Sequence, residues 1–200
     1  MTHLYPVMLN LAGRRVLVVG GGIIGLRKAE GLIAAGATVT ALSPQFNAEW
    51  DSLGAAVTRI VRRYEPDDVV GYWLVVTATN DPGAQQQVFD DGQRLGIWVN
   101  AADDPDRCAF ILPAVHRDGP VILSVSTSGS APALAGWLRD RLVSSLPPKV
   151  ASLATRLRAE RDELHTAGKT TEGLDWKRRI DELVSQDQLA DEAEHTQRAE

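Results

Sequence analysis

Cysteine is almost absent: Cys108 is the only one in 200 residues. That excludes an internal disulfide and a zinc site built from several cysteines, and it fits a reducing compartment. No run of about 18 apolar residues occurs, so no membrane-spanning helix is expected. No basic segment followed by a short apolar one opens the chain, so a cytoplasmic location is expected. A basic stripe is missing too. The formal net charge is −5, and from Gln186 onward five acids face Arg198 alone, which leaves the body nearly neutral and argues against a nucleic-acid partner. This acidic tail is expected to fray or to end a helix weakly. There are no internal repeats. The length admits one large domain, or one domain and a smaller one.

What is present centres on Arg15-Val16-Leu17-Val18-Val19-Gly20-Gly21-Gly22-Ile23-Ile24-Gly25. Val16–Val19 is short and β-branched, which predicts a buried strand. Gly25, Ala29, Leu32, Ile33 and Gly36 then fall on one helical face, with Arg27, Lys28 and Glu30 opposite. Gly20, Gly22 and Gly25 match the G-x-G-x-x-G pattern of dinucleotide sites. In that pattern the first glycine makes the turn, the second lets the backbone approach a pyrophosphate, and the third brings helix and strand together. The helix start offers free N–H groups and the positive end of its dipole. The competing reading is a tight turn without a ligand.

Thr38–Leu42 predicts the second strand, followed by Ser43 and Pro44 where the adenosine ribose belongs. The acid that would bond a ribose 2′-hydroxyl is missing there, and no arginine replaces it, so these residues do not choose between NAD and NADP. Further strands are expected at Val57–Val61, Trp73–Ala78 and Ile97–Asn100, with a short helix at Gln45–Leu53 and a short turn or helical piece at Asp67–Tyr72. A helix from Pro82 to Leu95 should be capped by Asn80 or Asp81, ended by Gly96, and turned inward at Val88 and Leu95. Tyr5–Leu11 reads as an edge strand. This alternation predicts a Rossmann-like, doubly wound parallel sheet. Two extended runs follow, Ala109–Val115 and Val121–Ser126, joined through His116–Pro120 as a hairpin connection. A helix to about Leu146 comes next, capped by Ser130, with Leu134, Ala135, Leu138 and Leu142 as its apolar positions. Beyond Pro147-Pro148, Leu153, Leu157 and Leu164 suggest one helix. Leu174–Leu189 suggests another, with Trp176, Ile180 and Leu183 buried. The expected division is a dinucleotide-binding domain over 1–112, a hairpin and helix forming a dimerisation or substrate region over 113–147, and a small helical domain over 148–200.

The segment Asn100-Ala101-Ala102-Asp103-Asp104-Pro105 follows the last strand of that sheet. A carboxylate there, Asp103 or Asp104, is placed to act as a general base beside a nicotinamide, unless it merely caps the turn. Thr127-Ser128-Gly129-Ser130 at a helix start suits a carboxylate or phosphate, or simple capping. His116 suits a proton carrier or a metal ligand, or plain solvation. Cys108 lacks a histidine partner and reads as a small buried residue rather than a nucleophile.

Taken together, four stretches resemble precorrin-2 dehydrogenases, the dehydrogenase/ferrochelatase module of siroheme synthases. They are Val18–Ile24 with Arg27-Lys28, Ala78–Pro82, Val99–Asp103 with Phe110–Ala114, and Ser126–Ala135. They run in order over about residues 4–150. The resemblance implies hydride transfer from precorrin-2 to NAD, giving sirohydrochlorin, and in many members insertion of Fe²⁺ to give siroheme. Asp103 occupies the position of the family's proton-accepting aspartate. The cofactor contacts implied are Gly20, Gly22, Ile23, Ile24, Gly25, Ser43, Pro44, Thr79 and Asn100. The substrate contacts are Thr127, Ser128, Ser130, His116 and Arg117, with Arg139 and Lys149 as further anchors for its carboxylates. No resident metal is implied, and a homodimer is. Gly25 stands where many members carry alanine, which should only ease packing. The methyltransferase domain of some members has no counterpart here, so precorrin-2 would come from another enzyme. The alternatives are a dehydrogenase without chelatase activity, or a regulatory domain that senses NAD without chemistry.

Overall fold

The structure is a computed structural model that describes residues 4–102 and 104–199. The chain divides into two compact units, Met1–Leu112 and Pro113–Glu200. In the first, five strands form one parallel sheet: β1 (Arg15–Val19), β2 (Thr38–Ser43), β3 (Val57–Val61), β4 (Leu74–Thr77) and β5 (Trp98–Ala101), in the order β3-β2-β1-β4-β5. Strand order reverses between β1 and β4, and that makes the switch point at which doubly wound sheets bind ligands.

Helix α1 (Ile23–Ala34) packs on one face of the sheet, where Leu26, Ala29 and Trp50 meet Val18, Val39 and Ala41. Helix α2 (Pro82–Leu95) covers the other face with Val88 against Leu17, Val75 and Val99. Burial of these branched side chains on both faces is what a parallel sheet requires. The connection from β3 to β4 has no helix. Residues 62–73 cross the α2 face as turns, tucking Val69, Tyr64 and Tyr72 into that core. Polar groups pin this crossing. Asp91 is 3% exposed and accepts from the Tyr64 hydroxyl (2.7 Å), Arg94 (2.9 Å) and the Asp67 N–H (3.2 Å). Burial alone would raise the Asp91 carboxyl, but the guanidinium of Arg94 and the Tyr64 hydroxyl outweigh it and hold it below the usual carboxylate range.

Several expectations need correction. Residues 5–11 form no strand, because β1 is already paired on both edges; Leu9 and Leu11 pack into the core instead. The helical piece after β2 is a run of 3-10 turns over Ala48–Ala56, kinked at Gly54. Leu95 is 40% exposed rather than inward: it ends α2, and the packed stripe is Val88, Asp91 and Gly92.

The second unit opens with a hairpin of β6 (Ala114–Asp118) and β7 (Val121–Val125). Its loop is only Gly119-Pro120, with Gly119 at φ 52°, as a two-residue hairpin turn with a leading glycine demands. His116 and Arg117 are therefore strand residues and not part of the connection, and residues 109–113 are not strand. Helix α3 (Pro132–Val143) packs Ala135 inward but leaves Leu134 and Leu142 exposed, because a two-stranded sheet offers it little surface. Its N-cap is Ala131, whose N–H donates to the Thr127 hydroxyl (3.1 Å); Ser130 does not cap it. Helices α4 (Val150–Thr166) and α5 (Trp176–Ala199) are joined by Arg156–Asp187 and Arg179–Glu160 ion pairs. Leu153 and Leu183 are buried and Trp176 half-buried, whereas Ile180 is exposed. The backbone of α5 carries on through the acidic tail to Ala199.

Candidate functional site

The carboxyl edge of the sheet gathers the glycine loop, the ends of β2 and β4, and the loop after β5. The loop is built by exclusion. Gly20 sits at φ 127°, and a Cβ there would lie 2.3 Å from the Ala78 carbonyl oxygen. At Gly21 a Cβ would lie 2.0 Å from the Gln45 carbonyl oxygen, and the Gly21 carbonyl accepts from Asn47 N–H at 2.9 Å. At Gly25 a Cβ would meet the Gly20 carbonyl oxygen at 2.3 Å and Trp50 at 3.3 Å. Alanine at 25 would thus require the loop to shift, and glycine here does more than ease packing. The fully buried Trp50 also donates from its indole to the Gly22 carbonyl at 3.3 Å. Gly21 and Trp50 are supports that the motif did not reveal; a glycine standing between the motif's Gly20 and Gly22 was the only signal for Gly21, and nothing marked Trp50.

Gly22 differs. Its backbone is extended (φ −82°, ψ −178°), a conformation any residue adopts, and nothing lies within 4 Å of a Cβ built on it. It is the N-cap of α1, and no side chain caps that helix. The first-turn N–H groups thus have no intrahelical acceptor and face a space that a Cβ would enter. Helix α2 provides the contrast: the Asp81 carboxylate fills its start, accepting from Gly83 and Ala84 N–H at 3.0 and 3.2 Å. The start of α1 therefore has the donors, the dipole and the room for a pyrophosphate.

The other expected contacts are less free. Ser43 is buried and its hydroxyl donates to the Gln45 carbonyl at 2.7 Å. Pro44 is exposed beside it. The Thr79 hydroxyl accepts from Asp81 N–H at 3.2 Å. Ile23 and Ile24 open α1, the latter 46% exposed. Asn100 is 6% exposed and donates to the Phe110 carbonyl at 2.8 Å and the Cys108 sulfur at 3.4 Å, tying together the two ends of the loop after β5. Thr77, at the end of β4, holds a fully buried hydroxyl with no hydrogen-bond partner among the described residues.

Asp103 lies outside the described residues. Asp104, the other candidate base, is ion-paired with Arg107, whose Nε donates to Gln86 on α2 at 2.8 Å. The Cys108 thiol is pushed up by burial, which keeps it protonated and a poor nucleophile.

In the second unit, Thr127 and Ser126 spend their side chains on local turns, accepting from Ala131 N–H and Ser128 N–H at 3.1 Å each. Ser128 has φ 54°, an unusual value for a residue other than glycine. The hydroxyls of Ser128 and Ser130 make no hydrogen bond among the described residues. His116 and Arg117 do not converge, since consecutive strand residues point to opposite faces; His116 is half-buried and Arg117 exposed. No group of three or more potential metal ligands occurs among the described residues.

Comparison with known proteins agrees with the sheet. The family described as putative NAD(P)-binding matches residues 7–114, more than half of the chain. The chain belongs to this NAD(P)-binding family. The matched span takes in all five parallel strands and the glycine loop of the NAD(P)-binding sheet. "Siroheme synthase 2" of Aeromonas hydrophila is 39% identical over 158 residues, 79% of this chain and 34% of that protein. A siroheme synthase of Pseudomonas putida is 36% identical over 200 residues, 96% of this chain and 42% of that protein. The chain thus spans well under half the length of these relatives. Among solved structures, "SirC, precorrin-2 dehydrogenase" superposes with a TM-score of 0.68 at 28% identity, covering 92% of this chain and 88% of that one. No helix among the described residues is long and apolar enough to cross a membrane.

Proposed function

We propose that this chain is an NAD⁺-dependent precorrin-2 dehydrogenase that forms sirohydrochlorin. The observation that carries the cofactor half is the uncapped start of α1 beneath Gly22, where no internal contact demands glycine and a pyrophosphate does. The substrate comes from the likeness to SirC and to the siroheme synthases.

The residues divide the work. The N–H groups of Gly22, Ile23 and Ile24 hold the pyrophosphate, with Gly20 and Gly25 setting the loop. Ser43, Pro44 and Thr79 line the adenosine side. Asn100 braces the loop that carries Asp103. When bound, the nicotinamide supplies a hydride acceptor. As the substrate gives up a hydride it must also release a proton, and the Asp103 carboxylate accepts it. Asp104 is unsuited to that role, because its carboxylate is paired with Arg107. Of the residues expected at the tetrapyrrole, Ser128 and Ser130 offer hydroxyls and Arg117 an exposed cation for its carboxylates, whereas the Thr127 hydroxyl accepts from Ala131 N–H and His116 lies on the strand face opposite Arg117. The enzyme works in the cytoplasm as a homodimer; the exposed Leu134, Trp137, Leu142, Val115 and Ile122 of the second unit give a partner copy apolar surface to cover. Fe²⁺ is a further substrate, inserted into sirohydrochlorin once Asp103 has helped remove pyrrole protons.

The test is a visible-absorbance time course with precorrin-2 and NAD⁺, followed by addition of Fe²⁺ or Co²⁺. Sirohydrochlorin should form, and metal entry should outpace the protein-free control. Oxidation alone would remove the chelatase half. No NAD⁺-dependent change, beside an active control enzyme, would sink the dehydrogenase and leave a nucleotide sensor. Asp103→Ala should stop turnover and leave NAD⁺ affinity nearly unchanged.

A further inference from the structure

We propose that Arg107 and Gln86 form a strut between α2 and the loop after β5, and that this strut positions the Asp103 base for proton transfer. The inference rests on the role assigned to Asp103 above and adds two positioning residues to it.

The sheet holds this loop at its two ends. Ala102 N–H donates to the Thr77 carbonyl at 2.8 Å, and Ala109 N–H donates to the Val99 carbonyl at 2.7 Å. Between them, most bonds stay within the loop or return to the strand it has just left. Asp104 N–H donates to the Ala101 carbonyl at 3.3 Å, and the Cys108 thiol donates to the same carbonyl at 3.2 Å. The Asn100 amide reaches the Cys108 sulfur at 3.4 Å. A surface loop tied only at its root can still tilt about that root.

Arg107 supplies a second attachment. It ends the 3-10 turn Pro105–Arg107, and its guanidinium bridges two partners. One nitrogen pairs with the Asp104 carboxylate, and Nε donates to the Gln86 side-chain oxygen on α2 at 2.8 Å. Gln86 is oriented for this contact. Its amide nitrogen donates to Asp90 at 2.8 Å, which leaves the oxygen for Arg107. Among the described residues, no other side-chain bond joins residues 104–108 to α2. A planar guanidinium can hold both partners at once, which a lysine ammonium does less well. Asp104 is the chain neighbour of Asp103, so the strut grips the loop one residue from the base.

The strut bears on rate more than on folding. The side chains of Arg107 and Asp104 are 36% and 24% exposed, and a pair so solvated adds little to stability. The position of a catalytic group is far more sensitive, since a displacement of about 1 Å can cost about a hundredfold in rate. Loss of the tie to α2 should therefore slow proton transfer in a protein whose sheet and glycine loop are intact.

The test is single-turnover oxidation of precorrin-2 by the full chain at saturating NAD⁺, with NAD⁺ calorimetry, a thermal scan and amide hydrogen exchange on the same samples. The variants are Gln86→Ala, Gln86→Glu, Arg107→Ala and the double alanine variant. Gln86→Ala leaves the Asp104–Arg107 pair in place and breaks only the tie to α2. It should slow oxidation about tenfold, with Kd for NAD⁺ within about threefold and Tm within about 2 °C. Amide exchange should quicken in residues 102–109 and not in the sheet. Arg107→Ala should lose as much, and the double variant no more than either, because both remove one interaction. Gln86→Glu keeps the acceptor and should retain most of the rate. A native rate or native loop exchange in Gln86→Ala, losses that multiply in the double variant, or a slower rate matched by lower Tm and weaker NAD⁺ binding overturns the inference. No turnover by the native protein, or native turnover by Asp103→Ala, overturns the reading on which the strut rests, so the two failures are distinguishable.

Discussion

Gly22→Asp separates binding from folding, because the two should move in opposite directions. The backbone at 22 is in an ordinary extended conformation with no atom within 4 Å of the new Cβ, so the fold meets no clash. Aspartate is a favoured N-cap, and a carboxylate at a helix start gains about 0.3–1 kcal/mol from the dipole. The Tm should therefore hold or rise by a few degrees. The same carboxylate would occupy the space of the pyrophosphate. Two like charges about 4 Å apart at an effective permittivity of about 20 repel by about 4 kcal/mol, which is about a thousandfold in Kd. Calorimetry with NAD⁺ and a thermal scan of the same sample provide both readouts. A variant with native Tm whose Kd lies within about threefold of the native value would refute the placement of the phosphates at α1.

Gly21→Ala should do the reverse of Gly22→Asp at the level of folding: its Cβ would lie 2.0 Å from the Gln45 carbonyl oxygen, and forcing the loop apart costs about 1–3 kcal/mol, measurable as a drop in Tm without any ligand. Asp91→Ala should cost about 2 kcal/mol in urea unfolding, because it leaves the Tyr64 hydroxyl and the Asp67 N–H without their acceptor, while the exposed Arg94 keeps its ion pair with Asp67. Asp91 and Asp68 both have carboxyls held below the ordinary value, so the stability they confer is complete above the ordinary carboxylate range and is lost as pH falls through their lowered values. A Tm profile below about pH 4 should be steeper for the native protein than for Asp91→Ala; parallel profiles would remove Asp91 from the acid transition. Thr77→Val replaces an unpartnered buried hydroxyl with a methyl of similar size and should hold stability or raise it by about 1 kcal/mol, whereas a clear loss would mean that the hydroxyl has a partner such as a buried water.

The sheet was legible because its signals are local and redundant. Strands β1 and β2 are short runs rich in β-branched residues, closed by Gly20 and by Pro44, and α2 shows both its Asp81 cap and its Gly96 stop in the sequence. Readings failed where a pattern fitted but a partner was lacking. Residues 5–11 alternate like a strand, yet β1 has no free edge. Leu95 lies on the right face of α2 one turn too late. His116 and Arg117 looked like turn residues because they precede Gly-Pro, but two residues suffice for the loop, which draws them into β6 and onto opposite faces.

At the site itself, the three glycines of the motif look alike in sequence and differ in cause. Gly20 and Gly25 are demanded by the protein's own backbone, and so is Gly21, which the motif leaves open. Only Gly22 of the motif's glycines is not demanded by an internal contact, which is why the proposed pyrophosphate site is tested at that position. A motif match cannot separate these cases, because a tight turn with no ligand would need the same glycines at 20 and 25. The Cβ clearances separate them: of the motif's glycines only Gly22 would take a side chain without a clash, so the proposed binding can be tested there in a protein that still folds. Asn100 shows the converse. It was expected at the cofactor, and its amide nitrogen is engaged by Phe110 and Cys108, so through those bonds it acts on the loop it holds.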